Sequence, residues 1–458
     1  MITRLLSLSI CISALSFLPS HAGIRAGAAE QEITPAAGLE IQHYFRKSIG
    51  VRDSLFARCL YLEDEAGNAV AIVGLDLIMA SFETCDQLRE EIRKKCGVTH
   101  TLLNFSHTHA SAALGPRGRS TVSNDEGSRW NDQTLDAIIA VVTEARKESE
   151  PVTLRAGRAG VQVGFNRRLV NANNGHVFMG VNRKGPAVPW VNVLVADSTR
   201  TGKPLAVLFE HAAHPVIVPH TSKLTSADFP GAAGKRIREV LGKEVITVFG
   251  QGCGGNINGF PLRSTHEKAE EAGHRLGEAA LKAIETSERI KATGFTIKSA
   301  TVTLPSAPLP SRELLAEMMD LEKKNAGRMK QLRQIEQLLE KVEKPPGRRF
   351  DAHAVMFGRE WCLTTMPHEM FCQYELWIDE HAPFKRTMTF AFTNGYEGYI
   401  AVDEALALGA RGGYEAGRLP NWGGQVYTRH LGPPAVGAEK IVKETLSSLW
   451  PSNPEKPE

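Results

Sequence analysis

With 458 residues, 42% of them apolar and 23% charged, the chain can build a full globular core and is unlike a disordered or fibrous sequence. A formal net charge of +3 supplies no basic surface of the kind a nucleic acid needs, so no nucleic-acid partner is expected.

The N-terminus reads as a targeting segment. Arg4 gives a short basic start, residues 5–18 an apolar stretch, and Ser20-His21-Ala22 a small-residue cleavage site. Ala26-Gly27-Ala28 offers a second site, which would put cleavage as late as residue 28. The expectation is a signal peptide over 1–22, one domain over 28–450 and a polar tail over 451–458. The protein would then be secreted or periplasmic, with no transmembrane segment once the signal is removed. Cys11 falls in the signal. The other cysteines are irregularly spaced without a C-x-x-C, so no pairing is assigned. No feature of the sequence sets the oligomeric state.

Residues 70–80 are too continuously apolar for a half-exposed strand and predict a buried one. A helix over 82–96 stops at Gly97, a second buried strand covers 102–107, and a helix covers 132–147. Strands follow at 152–156 and 191–197, then a long strand over 205–218 that carries His211 and His214. Asp228 opens a helix to about residue 241; residues 245–249 form a strand ending in a glycine-rich loop, and 265–287 are helical. Over 312–342 the composition shifts to Glu, Lys, Leu, Gln and Met at helical spacing, broken at Asn325-Ala326-Gly327, which predicts a solvated helical hairpin. The core resumes over 352–365, with a helix from Glu369 to 379, a strand over 386–392 and a last helix over 436–449. This order predicts an α/β fold: layered mixed β-sheets flanked by helices, in a single large domain with an inserted helical arm.

The chemistry-bearing residues follow apolar strands. In Asn104-Phe105-Ser106-His107-Thr108-His109-Ala110 the two histidines are placed to face one side of a strand, either as half of a metal site or as a ligand with a proton carrier beside it. His214 precedes Pro215, Glu369 follows Pro367-His368, and Tyr396, Glu397 and Tyr399 sit in a glycine-rich turn. Two histidines and a carboxylate would meet the needs of zinc with one position open. Each also has a plainer reading: His214 as a strand cap, Glu369 at a helix N-terminus, the tyrosines as wall residues. The loop from Gly250 to Asn256 lacks the Gly-Lys-Ser/Thr ending of a P-loop. Asp76 is open between a partner of the site and a satisfied strand residue, and Cys253 is expected to pack beneath the site.

The order of these motifs resembles the catalytic N-terminal domain of the neutral (alkaline, non-lysosomal) ceramidase family. The resemblance runs through the stretch 74–81, Ser106 to Ala110, Asn166-Arg167, Ala213-His214-Pro215, Ser226 to Asp228, Gly252 to Asn258, Pro367-His368-Glu369, Tyr399 and Tyr414-Glu415. It implies Zn2+ held by His107, His214, Glu369 and Tyr399, with His109 as the proton-transfer residue and Arg167 and Tyr414 at the scissile carbonyl. Gly255 and Asn258 would line the substrate site. The implied substrate is an N-acyl lipid, ceramide-like, or another amide. The resemblance departs at Asn258, which stands where the family has a serine. No Ser or Thr lies between Phe249 and Arg263, so the activated-water route survives and a serine nucleophile from this loop does not. The family's C-terminal β-sandwich is also expected to be missing. Two alternatives stay open: a hydrolase of the same fold acting on another ester or small N-acyl molecule, and a catalytically silent metal-containing binding protein.

Overall fold

A computed structural model describes residues 23–41, 46–119, 125–341, 346–417 and 433–452. The expected signal peptide lies outside the described residues, as does the tail beyond residue 452. Among the described residues no helix is long and apolar enough to cross a membrane.

The main sheet has nine strands. In spatial order they are Ile246–Gln251, Pro204–His211, Trp190–Ser198, Glu150–Gly160, Arg25–Glu32, Phe56–Glu63, Ala69–Leu75 and His100–Phe105, with the short Glu288–Arg289 also paired to Glu150–Gly160. Inner pairs are antiparallel, whereas the pair at each edge is parallel. Parallel neighbours need a crossover, and the helices Phe82–Cys96 and Asp228–Leu241 supply one at each edge. Ser81 caps the first helix by accepting from Thr84 N–H, and Gly97 ends it in the left-handed conformation.

Strand alternation divides the core. In Phe56–Glu63, Ala57, Cys59 and Tyr61 face helices Phe82–Cys96 and Asp125–Lys147, while Leu60 and Leu62 face a second sheet. That sheet orders Thr296–Leu304, Arg348–Phe357, Trp361–Thr365 and Arg386–Phe390, and packs Phe357, Trp361, Leu363 and Phe390 onto the main one. Coverage on both faces is why these strands read as continuous apolar runs. Ala26 is fully buried and Arg25 to Ala28 pair with Phe56–Glu63, so cleavage after residue 28 would strip half of an inner strand.

Several expected boundaries move. The strand expected over 205–218 stops at His211, which puts His214 beyond it. The helix expected from Glu369 begins at Cys372, and Glu369 instead lies in a two-residue strand paired with Tyr399 and Ile400. The arm is a helical hairpin, Arg312–Glu322 and Ala326–Lys341, with a small core of Leu315, Met318, Leu332 and Ile335. The six cysteines after Cys11 are free and buried.

Candidate metal centre and active site

The site lies beyond the carboxyl ends of the two parallel edge pairs, where the sheet edges approach each other. Asn104 ties them together: its Nδ2 donates to Ala391 O at 2.6 Å and its Oδ1 accepts from Gln251 N–H at 2.8 Å. The strand carrying the histidine motif ends at Phe105, so strand alternation is not what pairs His107 with His109. His107 instead turns left-handed, at φ 63°, with its N–H donated to Leu77 O. His368 (68°), Phe392 (50°) and Asn394 (61°) share this conformation around the site. Side chains with a Cβ adopt it at a cost, and such strain gathers where function demands a particular geometry. Thr108 braces the turn through Ser226 O at 2.9 Å, which gives the Ser226 motif a structural use.

His107 and His214 are buried and His109 is half-buried. One ring nitrogen from each lies within 4.8 Å of the others. His107 Nδ1 bonds Ile78 O at 2.7 Å, and His214 Nδ1 bonds Gly254 O at 2.5 Å. A carbonyl only accepts, so each Nδ1 carries a hydrogen and Nε2 is the ring atom left to bind a proton or a cation. Both Nε2 atoms face Glu369 Oε2, from 2.7 Å for His214 and 3.7 Å for His107. Burial holds His107 down at about 4, so it is neutral at neutral pH. Burial disfavours the Glu369 charge, but positive charge at His107 and His214, and on Arg167, outweighs it and holds the carboxyl at about 2. Two lone pairs converging on an ionised carboxylate call for a positive charge among them. This donor set fits a metal cation.

Tyr396 was expected only as one of two phenols in a turn. Its Oη donates to Glu369 Oε1 at 2.6 Å and so fixes the carboxylate's other oxygen. Tyr399 is buried, pairs in register with Glu369, and its ring stands 5.5 Å from that of Tyr414. Arg167 lies in the adjoining network: Nε donates to Glu415 at 2.7 Å, Nη1 to Asn258 Oδ1 at 2.9 Å and Nη2 to Gly255 O at 2.7 Å. Arg168 holds the second oxygen of Glu415 at 2.7 Å. Glu415, which the sequence marks only as the neighbour of Tyr414, thus holds both arginines. Asn258 bridges to the His214 backbone, so it joins the histidine and arginine halves of the site.

Gly255 commits its N–H to Met370 O at 2.8 Å and its carbonyl to Arg167. A Cβ there would come within 2.6 Å of Glu369 O, so only glycine lets the loop lie against the Glu369 strand. Asp76 binds Arg58 Nη1 at 2.9 Å and Phe56 N–H at 3.0 Å, which makes it a satisfied polar residue just past the strand Ala69–Leu75. Cys253 is fully buried beneath the loop, and burial pushes its thiol well above the usual range.

No family model and no curated relative matches the sequence. Two solved structures match over 95% of this chain and 77% of their own. One is the neutral ceramidase from Pseudomonas aeruginosa, 16% identical with a TM-score of 0.65. The other is a ceramidase complexed with C2, 14% identical with a TM-score of 0.66. At these identities the likeness is one of fold: the chain has the neutral-ceramidase fold, closed around a buried histidine and carboxylate cluster.

Proposed function

We propose that this protein is an exported zinc-dependent hydrolase that cleaves the amide bond of an N-acyl lipid of the ceramide type. The observation that carries the reading is the convergence of His107 Nε2 and His214 Nε2 on one oxygen of Glu369. These three residues, with Tyr399, would hold the ion. Zinc bound there supplies Lewis acidity and brings the ionisation of water from about 15.7 to roughly 7.

The rest follows from the chain's own groups. His109 takes the proton of the attacking water and delivers it to the amide nitrogen as the C–N bond breaks, so a carboxylic acid and an amine leave. Arg167 and Tyr414 stand by the carbonyl oxygen and stabilise its developing charge. Arg167 is held for that task by Glu415, Asn258 and Gly255. The glycine loop has no hydroxyl side chain, and its one thiol, Cys253, is buried and held protonated. No acyl-enzyme forms in this scheme.

The test is metal analysis of purified protein together with hydrolysis of a panel of N-acyl lipids, small N-acyl amides and esters. Bound zinc with turnover of N-acyl lipids is expected. Turnover confined to small amides or esters would replace the substrate class, and none by zinc-loaded protein would favour a binding protein. His109→Ala should keep its zinc while turnover falls by about a hundredfold or more. Zinc lost together with activity would make His109 a ligand, for which it is close enough. Asn258→Ala should keep measurable activity, and serine-directed covalent inhibitors should leave the protein untouched. An acyl-enzyme trapped on any side chain would overturn the scheme.

A further inference from the structure

Two carboxylates lie beneath the glycine loop and outside the chemistry described above. Glu210 is the next-to-last residue of the strand Pro204–His211 and is fully buried; Glu375 sits in the first turn of the helix Cys372–His381, 2% exposed. Both carboxyl groups lie against Gly252, and each keeps a buried oxygen, Oε1, that no other described group satisfies. Two carboxyl groups brought together in a dry space hold one proton between them rather than both ionise. Asn192 Nδ2 donates to Glu210 Oε2 at 2.7 Å, and the Cys253 N–H donates to Glu375 Oε2 at 2.9 Å. A Cβ on Gly252 would come within 2.3 Å of Glu210 and 2.8 Å of Glu375, so the loop backbone rests directly on the pair. That backbone is what orients the site: Gly254 O accepts from His214 Nδ1 and Gly255 O from Arg167.

We propose that Glu210 and Glu375 are a positioning pair whose shared proton holds the Gly252 to Gly255 backbone in place, and through it the His214 ring and the Arg167 guanidinium. The inference rests on reading that site as the catalytic centre. When the shared proton leaves, two like charges in a dry space must separate, and the peptide lying on them shifts.

The surroundings offer little relief. Arg158 lies close enough to favour ionisation of the pair, but it is hydrogen-bonded to Asn192 Oδ1 and Asp379 Oδ1, both at 2.7 Å. Asp379, Cys253 and Cys372 are further titratable groups beside the pair. Burial, then the other carboxylate, holds Glu210 well above the ordinary carboxylate range, and burial lifts Glu375 to about 7. A proton held to higher pH in the folded state stabilises it fully at acid pH. That contribution fades as pH rises from the ordinary 4.5 toward about 7. His211, which burial holds at about 4, acts with the opposite sign over part of this window, so only a comparison with a variant isolates the pair.

Glu375→Gln supplies that comparison. Its amide can donate to ionised Glu210, which mimics the singly protonated pair and cannot acquire the second charge. Glu375→Ala should lower kcat at least tenfold with little change in KM. Glu375→Gln should recover most of that loss at neutral pH and move the alkaline limb of kcat up by at least one pH unit. Glu210→Gln should move the limb in the same direction, and it serves if the first variant fails to fold. An alkaline limb identical in the wild type and both glutamine variants would overturn the proposal. Should the wild type hydrolyse none of the substrates, the functional reading fails by itself. The pair is then tested by unfolding: wild type should lose stability relative to Glu375→Gln as pH rises from 4.5 to 8, and a constant difference would overturn it.

Discussion

Zinc added to metal-free protein at a thousandfold excess over its dissociation constant should raise stability by about 4 kcal/mol, and Glu369→Gln should abolish most of that gain. Proton positions set this expectation. Both Nδ1 hydrogens are committed to carbonyl oxygens, so the Nε2 atoms of His107 and His214 face Glu369 Oε2 as acceptor against acceptor unless a proton or a metal ion lies between. A cation turns that repulsion into coordination. A glutamine amide would relieve it differently, by donating N–H to His214 Nε2. The metal-free variant should therefore be at least as stable as metal-free wild type while losing hydrolysis altogether. Thermal or denaturant unfolding with and without zinc decides the matter. An equal zinc shift in the variant, or none in wild type, would remove Glu369 from the ligand set.

Local chemistry was readable from the sequence wherever a boundary had a local cause. The helix Phe82–Cys96 has both its Ser81 cap and its Gly97 stop in the chain, and its expected limits match those observed. The helical arm announced itself by composition, and the layered sheets by apolar runs covered on both faces. Where tertiary bonds set the backbone, local reasoning failed. His107 and His109 do come together, but through a left-handed turn tied to Leu77 and Pro215, not through strand alternation. Glu369 lies ahead of its helix because its two-residue strand pairs with Tyr399, a partner thirty positions away that no local pattern announces. The strand Arg25–Glu32 mixes small and charged residues and gave no strand signal, though it is central to the sheet. The convergence of His107, His214 and Glu369 was legible only through the resemblance of ordered motifs. Glu210 and Glu375 belong to no such motif, and each alone looks like an ordinary strand or helix acid. Only burial and contact set them apart.

Glu415→Ala should destabilise the protein by about 3–5 kcal/mol, the scale for leaving a buried charge without its partner. Its two oxygens hold two arginines, Arg167 Nε and Arg168 Nη1, both at 2.7 Å. Side-chain exposures of 3% for Glu415, 4% for Arg167 and 10% for Arg168 exclude the solvent that would otherwise replace the carboxylate. Removing Glu415 leaves two guanidinium groups in one desolvated space, neither of which can lose its proton. Removing Arg168 is milder, because Glu415 keeps Arg167. Arg168→Ala should therefore cost clearly less than Glu415→Ala, and Glu415→Gln should fall between them, since its amide oxygen still accepts one bond. Stability and turnover need not fall together. Arg167 keeps Asn258 and Gly255 O after Glu415 is gone, yet it loses the charge that fixes the guanidinium plane, so kcat should drop at temperatures where the variant is still folded. Denaturant unfolding of the three variants, with turnover measured well below their midpoints, separates the two effects. A cost for Glu415→Ala no greater than that for Arg168→Ala would show that this carboxylate does not close the arginine side of the site.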